Sequence, residues 1–146
     1  MQIAEVELTY KTHVKSSLRP KITSSKDSYD VLLQSWDENK LEFVEQAKVL
    51  LLNRANRVLG ICDLFTGGVA GTVIDPKLVF MAALKANASA IILAHNHPSC
   101  NVNPSATDIT MTKRLKEVGN FLELPVLDHI IVTKEGYYSF ADELGM

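Results

Sequence analysis

The chain has 146 residues, of which 47% are apolar and 22% charged, with a net charge of −2. These values describe an ordinary globular domain with room for one sizeable core, and they exclude a fibrous, disordered or strongly basic nucleic-acid-binding chain. Two cysteines, Cys62 and Cys100, cannot build a disulfide framework or a zinc ribbon. No apolar run reaches bilayer length or forms the core of a signal peptide, so no membrane role and a cytoplasmic location are the expectations.

Near the start, Ala4, Val6, Leu8 and Tyr10 alternate with Glu5, Glu7, Thr9 and Lys11, which predicts a half-buried strand. Residues 1–26 are therefore expected to be an N-terminal strand and connector, and residues 27–146 the domain proper. Ser24-Ser25-Lys26-Asp27 supplies helix-start chemistry ahead of Tyr29, Val31, Leu32, Leu33 and Trp36, and Asp37-Glu38-Asn39-Lys40 reads as the polar exit. Residues 45–52 form a strongly apolar run, and Asn53-Arg54-Ala55-Asn56 reads as a hairpin turn into a strand over 57–62. Gly67, Gly68 and Gly71 mark a flexible loop; it carries neither the dinucleotide fingerprint nor the P-loop lysine, so it is no phosphate cradle. Pro76 suits the first position of a helix that carries Val79, Ala82, Ala83 and Ala86 on one side.

The run Ala90-Ile91-Ile92-Leu93-Ala94 is apolar on both faces, as a central covered strand should be, and it ends in His95-Asn96-His97-Pro98. In extended backbone, residues i and i+2 share a face, so His95 and His97 converge on one ion if the pleat persists through them. Pro98 removes a donor and lets the chain turn away. A lone histidine at a strand end is more often a satisfied polar residue than a ligand; an H-x-H pair is harder to dismiss. Asp108 follows thirteen positions after His95, at the head of a helix with Met111, Leu115, Val118 and Leu122 near helical spacing. Ser105 and Asp108 have the spacing of a capping box, and a first-turn acid is also free to face a ligand, so the two roles are compatible. Two neutral imidazoles and one carboxylate leave a tetrahedral zinc with its fourth position open, the catalytic arrangement, with one Zn2+ expected per chain. Lys113, Arg114 and Lys116 read as a solvated helix face. After Pro125 come a strand over 126–132, a turn at Glu135-Gly136 and a further segment over 137–140. The order of elements predicts an α/β fold, a mixed β-sheet with flanking helices.

His95-Asn96-His97-Pro98-Ser99 and Pro104-Ser105-Ala106-Thr107-Asp108 resemble the JAMM motif of the JAB/MPN metallopeptidase-like superfamily. The resemblance is to the RadC branch, with its H-N-H-P-S-G and P-S-x-x-D. It extends to Val49-Leu50-Leu51-Leu52-Asn53, Ala88-Ser89-Ala90-Ile91-Ile92-Leu93, Asp128-His129-Ile130-Ile131-Val132 and Tyr138-Ser139-Phe140, roughly residues 27–144 in order. It implies a single domain of JAB/MPN, cytidine-deaminase-like architecture. It also implies a zinc-dependent peptidase or isopeptidase in which zinc-bound water attacks an amide carbonyl of a peptide or protein substrate. His95, His97 and Asp108 become the zinc ligands by this resemblance. The family pattern E-x-x-x-V-L-x-L-N puts the general base at Glu45; a carboxylate is needed there to carry the proton from water to the leaving amine. From the residues alone, Glu42 remains an equal candidate. Ser105 is implied as the donor to the developing oxyanion. His129 has no motif role and reads as structural or as a partner orienting a ligand.

Three departures stand out. Cys100 occupies the position of the family's glycine after H-N-H-P-S, either filling a turn or, as the weaker reading, adding a fourth ligand that would close the site. Pro76-Lys77-Leu78 replaces Pro-Arg-Glu, and the helix-hairpin-helix-like region that often precedes the domain is not recognisable. The competing function is a non-hydrolytic metal-containing binding module associated with DNA repair or mobile elements, although the charge offers no basis for direct nucleic-acid binding. A zinc deaminase would need H-x-E and P-C-x-x-C, which are absent, and a barrel amidohydrolase about 250 residues.

Overall fold

The structure, a computed structural model, describes residues 1–67 and 74–146. A 3₁₀ turn at Ser16–Leu18 precedes α1 (Ser25–Ser35), α2 (Glu38–Leu41), β1 (Gln46–Leu52), β2 (Val58–Thr66), α3 (Pro76–Lys85), β3 (Ala90–Asn96), α4 (Ala106–Phe121), β4 (Val126–Val132), β5 (Tyr137–Ser139) and α5 (Phe140–Leu144). The strands form one mixed sheet in the order β2-β1-β3-β4-β5. β1 lies antiparallel to both β2 and β3, and β3 runs parallel to β4, with α4 as the crossover between them. This is a mixed α/β domain with a five-stranded sheet flanked by helices, as the order of elements predicts. Among the described residues, no helix is long and apolar enough to cross a membrane.

β1 and β3 are buried along their whole length, which is why both read as continuous apolar runs. Alternation divides them between two cores. Val49, Leu51, Ile91 and Leu93 meet Val79, Phe80 and Ala83 of α3 and Leu115 of α4. Leu50, Leu52, Ile92 and Ala94 meet Tyr29 and Leu32 of α1, together with Trp36 and Leu41. His95 continues the first face and Asn96 the second, so the two residues at the end of β3 address opposite layers.

The helices begin where capping chemistry allows. Ser24 accepts from the Asp27 N–H, Asp75 accepts from the Lys77 N–H with Pro76 beside it, and Ser105 and Asp108 form a complete capping box. At the far end of α4, Gly119 permits close approach: a Cβ there would stand 2.5 Å from the Leu124 carbonyl oxygen. In the β1–β2 turn, the Asn53 carboxamide oxygen accepts from the Ala55 and Arg57 N–H groups, and Asn56 takes a left-handed φ of 57°.

Four expectations change. Residues 4–11 form no strand; Val6 and Leu8 are exposed, and the Tyr10 hydroxyl donates to the Leu59 carbonyl. Alternation alone does not make a strand: among the described residues the outer side of β2 is met at its start by residues 20–22, which bond to Asn56 and Val58, and not by the backbone of residues 4–11. The segment 37–40 is not merely an exit: Asp37 accepts from the Asn39 N–H and caps the short α2. The strand expected over 57–62 runs on to Thr66, and the segment 137–140 divides into β5 and the first residue of α5, capped by Ser139. Of the glycine loop, Gly67 is described, while Gly68 and Gly71 lie outside the described residues.

Candidate metal centre

His95, His97 and Asp108 converge at the carboxyl end of β3 and the first turn of α4, forming a group of three able to hold a metal ion. His95 Nε2 lies 3.0 Å from His97 Nε2 and 3.4 Å from Asp108 Oδ2, and His97 Nε2 lies 3.6 Å from the same oxygen. Ligand atoms about 2.0 Å from a tetrahedral zinc stand about 3.3 Å apart, so these separations suit such an ion. β3 ends at Asn96, and the His97 N–H still donates to Val132 O at 3.3 Å, which keeps the strand direction long enough for both rings to point one way.

The hydrogen-bond partners fix the protons on these rings. A carbonyl oxygen only accepts, so the Thr112 hydroxyl proton is spent on Asp108 O at 2.7 Å. His129 Nδ1–H must then donate to Thr112 Oγ1 at 2.6 Å, leaving His129 Nε2 bare to accept from His95 Nδ1–H at 2.7 Å. His95 Nε2 is thereby left with a lone pair facing the centre. His97 Nδ1–H donates to the Asn101 carbonyl at 2.5 Å, which bares His97 Nε2 in the same way. Two lone pairs 3.0 Å apart, beside a carboxylate oxygen, repel one another unless a cation or a proton stands between them. The donor set fits a divalent metal.

Charge follows the same logic. Burial pushes the Asp108 carboxyl up, but the facing His95 and His97 rings, which favour its charged form, outweigh that and hold the group well below the ordinary carboxylate range. Burial pulls His97 down, yet Asp108, the Asn101 carbonyl and Glu45 together raise it above its usual value. His129 is enclosed, and burial followed by the nearby His95 holds it well below the ordinary imidazole value; it is the neutral member of the chain. Phe140 stacks on its ring with centroids 4.5 Å apart.

One oxygen of Asp108 is placed for both expected roles: Oδ2 accepts from the Ser105 N–H at 2.9 Å and faces the two histidines. Ser105 Oγ accepts from the Asp108 N–H at 3.0 Å, so the cap uses a lone pair and keeps the hydroxyl proton available to donate. Glu45, half-buried just before β1, lines a cleft of about 390 Å³ with His97, Ser99, Asn101 and Ser105. Glu42 is exposed and turned elsewhere; its carboxylate accepts from the Cys100 thiol at 3.5 Å. Cys100 is outside the ligand group and takes a left-handed φ of 66°, the conformation for which glycine carries no steric penalty. Burial, then Glu42, pushes its thiol pKa up.

His129 takes the ligand-orienting place that the sequence allows it, whereas Thr112 has no counterpart in the motif. Thr112 stands one helical turn after Asp108, and its spacing was the available clue. His129 is a histidine within an otherwise apolar strand, and its bond partners come from β3 and α4.

A family model described as the RadC-like JAB domain matches residues 22–146. Among curated proteins, a UPF0758 protein of Flavobacterium johnsoniae is 41% identical over 142 residues, covering 97% of this chain and 61% of that protein. UPF0758 proteins of Clostridium beijerinckii and Clostridium tetani are 36% and 34% identical over 142 residues, with the same shares of 97% and 61%. The chain therefore spans about 61% of the length of these relatives.

Proposed function

Because the chain belongs to the RadC-like JAB domain family, we propose that it is a metal-dependent amide hydrolase, a peptidase or isopeptidase working at the cleft beside His97. The observation that carries this reading is the convergence of three unprotonated ligand atoms next to a carboxylate and a free hydroxyl proton. Zinc, the metal this donor set suits best, would act when bound as a Lewis acid and bring water's pKa toward neutrality.

The chain's own groups account for the rest. His95 and His97 offer their Nε2 atoms, each ring held by a bond at Nδ1 on its far side, and Asp108 offers Oδ2, the oxygen that also accepts from the Ser105 N–H. The Glu45 carboxylate takes a proton at Oε and returns it to the departing amine. The Ser105 hydroxyl donates to the carbonyl oxygen as it gains charge, while Asp108 N–H holds that hydroxyl in place. An open cleft with polar walls and no phosphate cradle among the described residues suits an extended polypeptide better than a nucleotide. Main-chain hydrogen bonds would supply much of the affinity, giving broad side-chain tolerance.

The test is a diverse peptide pool, with isopeptide-linked members, incubated with the zinc-loaded protein and read by mass spectrometry, beside single- and double-stranded DNA. Zinc-dependent peptide or isopeptide cleavage is expected. Zinc-dependent DNA cleavage with peptides untouched contradicts the proposal, and inertness toward both transfers the function to a metal-containing binding module.

A further inference from the structure

Asn96 sits between the two metal-facing histidines, yet strand alternation sends its side chain to the opposite layer. It is fully buried, and both polar atoms of its carboxamide are bonded. Nδ2 donates to the carbonyls of Leu41 at 2.7 Å and Val44 at 2.9 Å, while Oδ1 accepts from the Gln46 N–H at 2.6 Å. Two of these bonds grip the backbone immediately before and immediately after Glu45. The Glu45 carbonyl itself accepts from the Gly67 N–H at 2.9 Å. Residues 42–45 belong to no helix or strand, so these bonds stand in for the ladder that regular structure would supply. Asparagine matches the task closely: aspartate has the shape but no donors, and glutamine is one methylene too long.

We propose that Asn96 is a positioning residue for Glu45, fixing the loop between α2 and β1 so that the Glu45 carboxylate is presented to the cleft beside His97. The proposal rests on the role given to Glu45 above. Consecutive side chains at the end of β3 then build both parts of the site: His95 grips the metal on one face, and Asn96 places the proton carrier from the other.

The experiment is a double-mutant cycle of Asn96→Ala and Glu45→Gln in the full chain, with zinc and cobalt(II) as probes. Metal content, amide exchange over residues 41–46, the visible absorption of the cobalt(II) protein and peptide turnover are read for all four proteins. Asn96→Ala should bind as much metal as wild type, and its 41–46 amides should exchange at least about tenfold faster, since one lost hydrogen bond accounts for about tenfold and the substitution removes three. Its cobalt absorption should change as that of Glu45→Gln does, with no further change in the double variant, because both remove the same carboxylate from the same place. Should Asn96→Ala fail to fold, Asn96→Asp, which keeps the shape and the acceptor for Gln46, takes its place. Loss of metal in the Asn96 variant, or faster exchange with an unchanged cobalt spectrum, overturns the proposal. If the spectroscopic cycle closes but wild type cleaves no peptide, the hydrolytic role falls and the positioning role stands.

Discussion

The floor and the rim of the metal centre are built by different means. On the floor, His95, Asp108, Thr112 and His129 are all buried, and each is bonded to another buried group contributed by β3, α4 or β4. At the rim, His97, Glu45 and Ser105 stand on irregular chain or at a helix start, half-buried or exposed, and are held by local caps and backbone contacts. The floor is therefore an extension of the core, and altering it disturbs fold and metal together. The rim is a set of groups laid over that core, so altering it should change chemistry and leave the fold intact.

His95→Ala gives the largest effect expected from the floor. It removes a ligand, opens a cavity under the site and leaves His129 Nε2 without its donor. Bound metal should be lost, with about 2–4 kcal/mol of stability, measured by elemental analysis and denaturant unfolding. A variant that keeps its metal would erase the distinction. At the rim, Glu45→Gln should keep the metal and lie within about 0.5 kcal/mol of wild type in stability, while turnover on a cleaved peptide falls about 10²–10⁴-fold. Loss of metal in that variant would make Glu45 a ligand rather than a proton carrier.

A smaller effect should appear with pH in the metal-free protein. His129 is held neutral by burial, with its pKa well below the ordinary value, whereas the unfolded chain takes up that proton near pH 6.5. The unfolded state thus binds more protons as pH falls through about 6.5, and folding stability declines by up to about 1.4 kcal/mol per pH unit. His129→Gln cannot titrate, so its stability deficit relative to wild type should shrink as the solution is acidified. A constant gap between pH 8 and 5 would mean that His129 is not held neutral. The smallest effect is expected at the rim's edge. Cys100→Gly should leave metal content unchanged and alter stability by no more than about 1 kcal/mol, since relief of the left-handed backbone is offset by glycine's greater unfolded freedom. Diminished metal binding there would bring the thiol into the ligand set.

What the sequence disclosed and what it withheld divide along a similar line. Pro76 at a helix start, the Ser105–Asp108 box and the apolar runs of β1 and β3 are local chemistry, and each element forms where that chemistry puts it. The three candidate ligand positions are legible because His95 and His97 share a pleat and Asp108 follows within one loop. Choosing Glu45 over Glu42 required the family register, because two glutamates three residues apart differ only in which one the folded loop turns toward the cleft. The strand expected at residues 4–11 failed because alternation describes a face without supplying a partner edge. The links from His129 to His95 and from Asn96 to Val44 join residues 34 and 52 positions apart, so they emerge once the sheet has set the register.

Metal content tests the central claim most directly. Protein purified without chelators and reconstituted with zinc should carry one ion per chain by elemental analysis, and Asp108→Ala and His97→Ala, treated identically, should carry essentially none. Zinc content unchanged by either substitution would contradict the account.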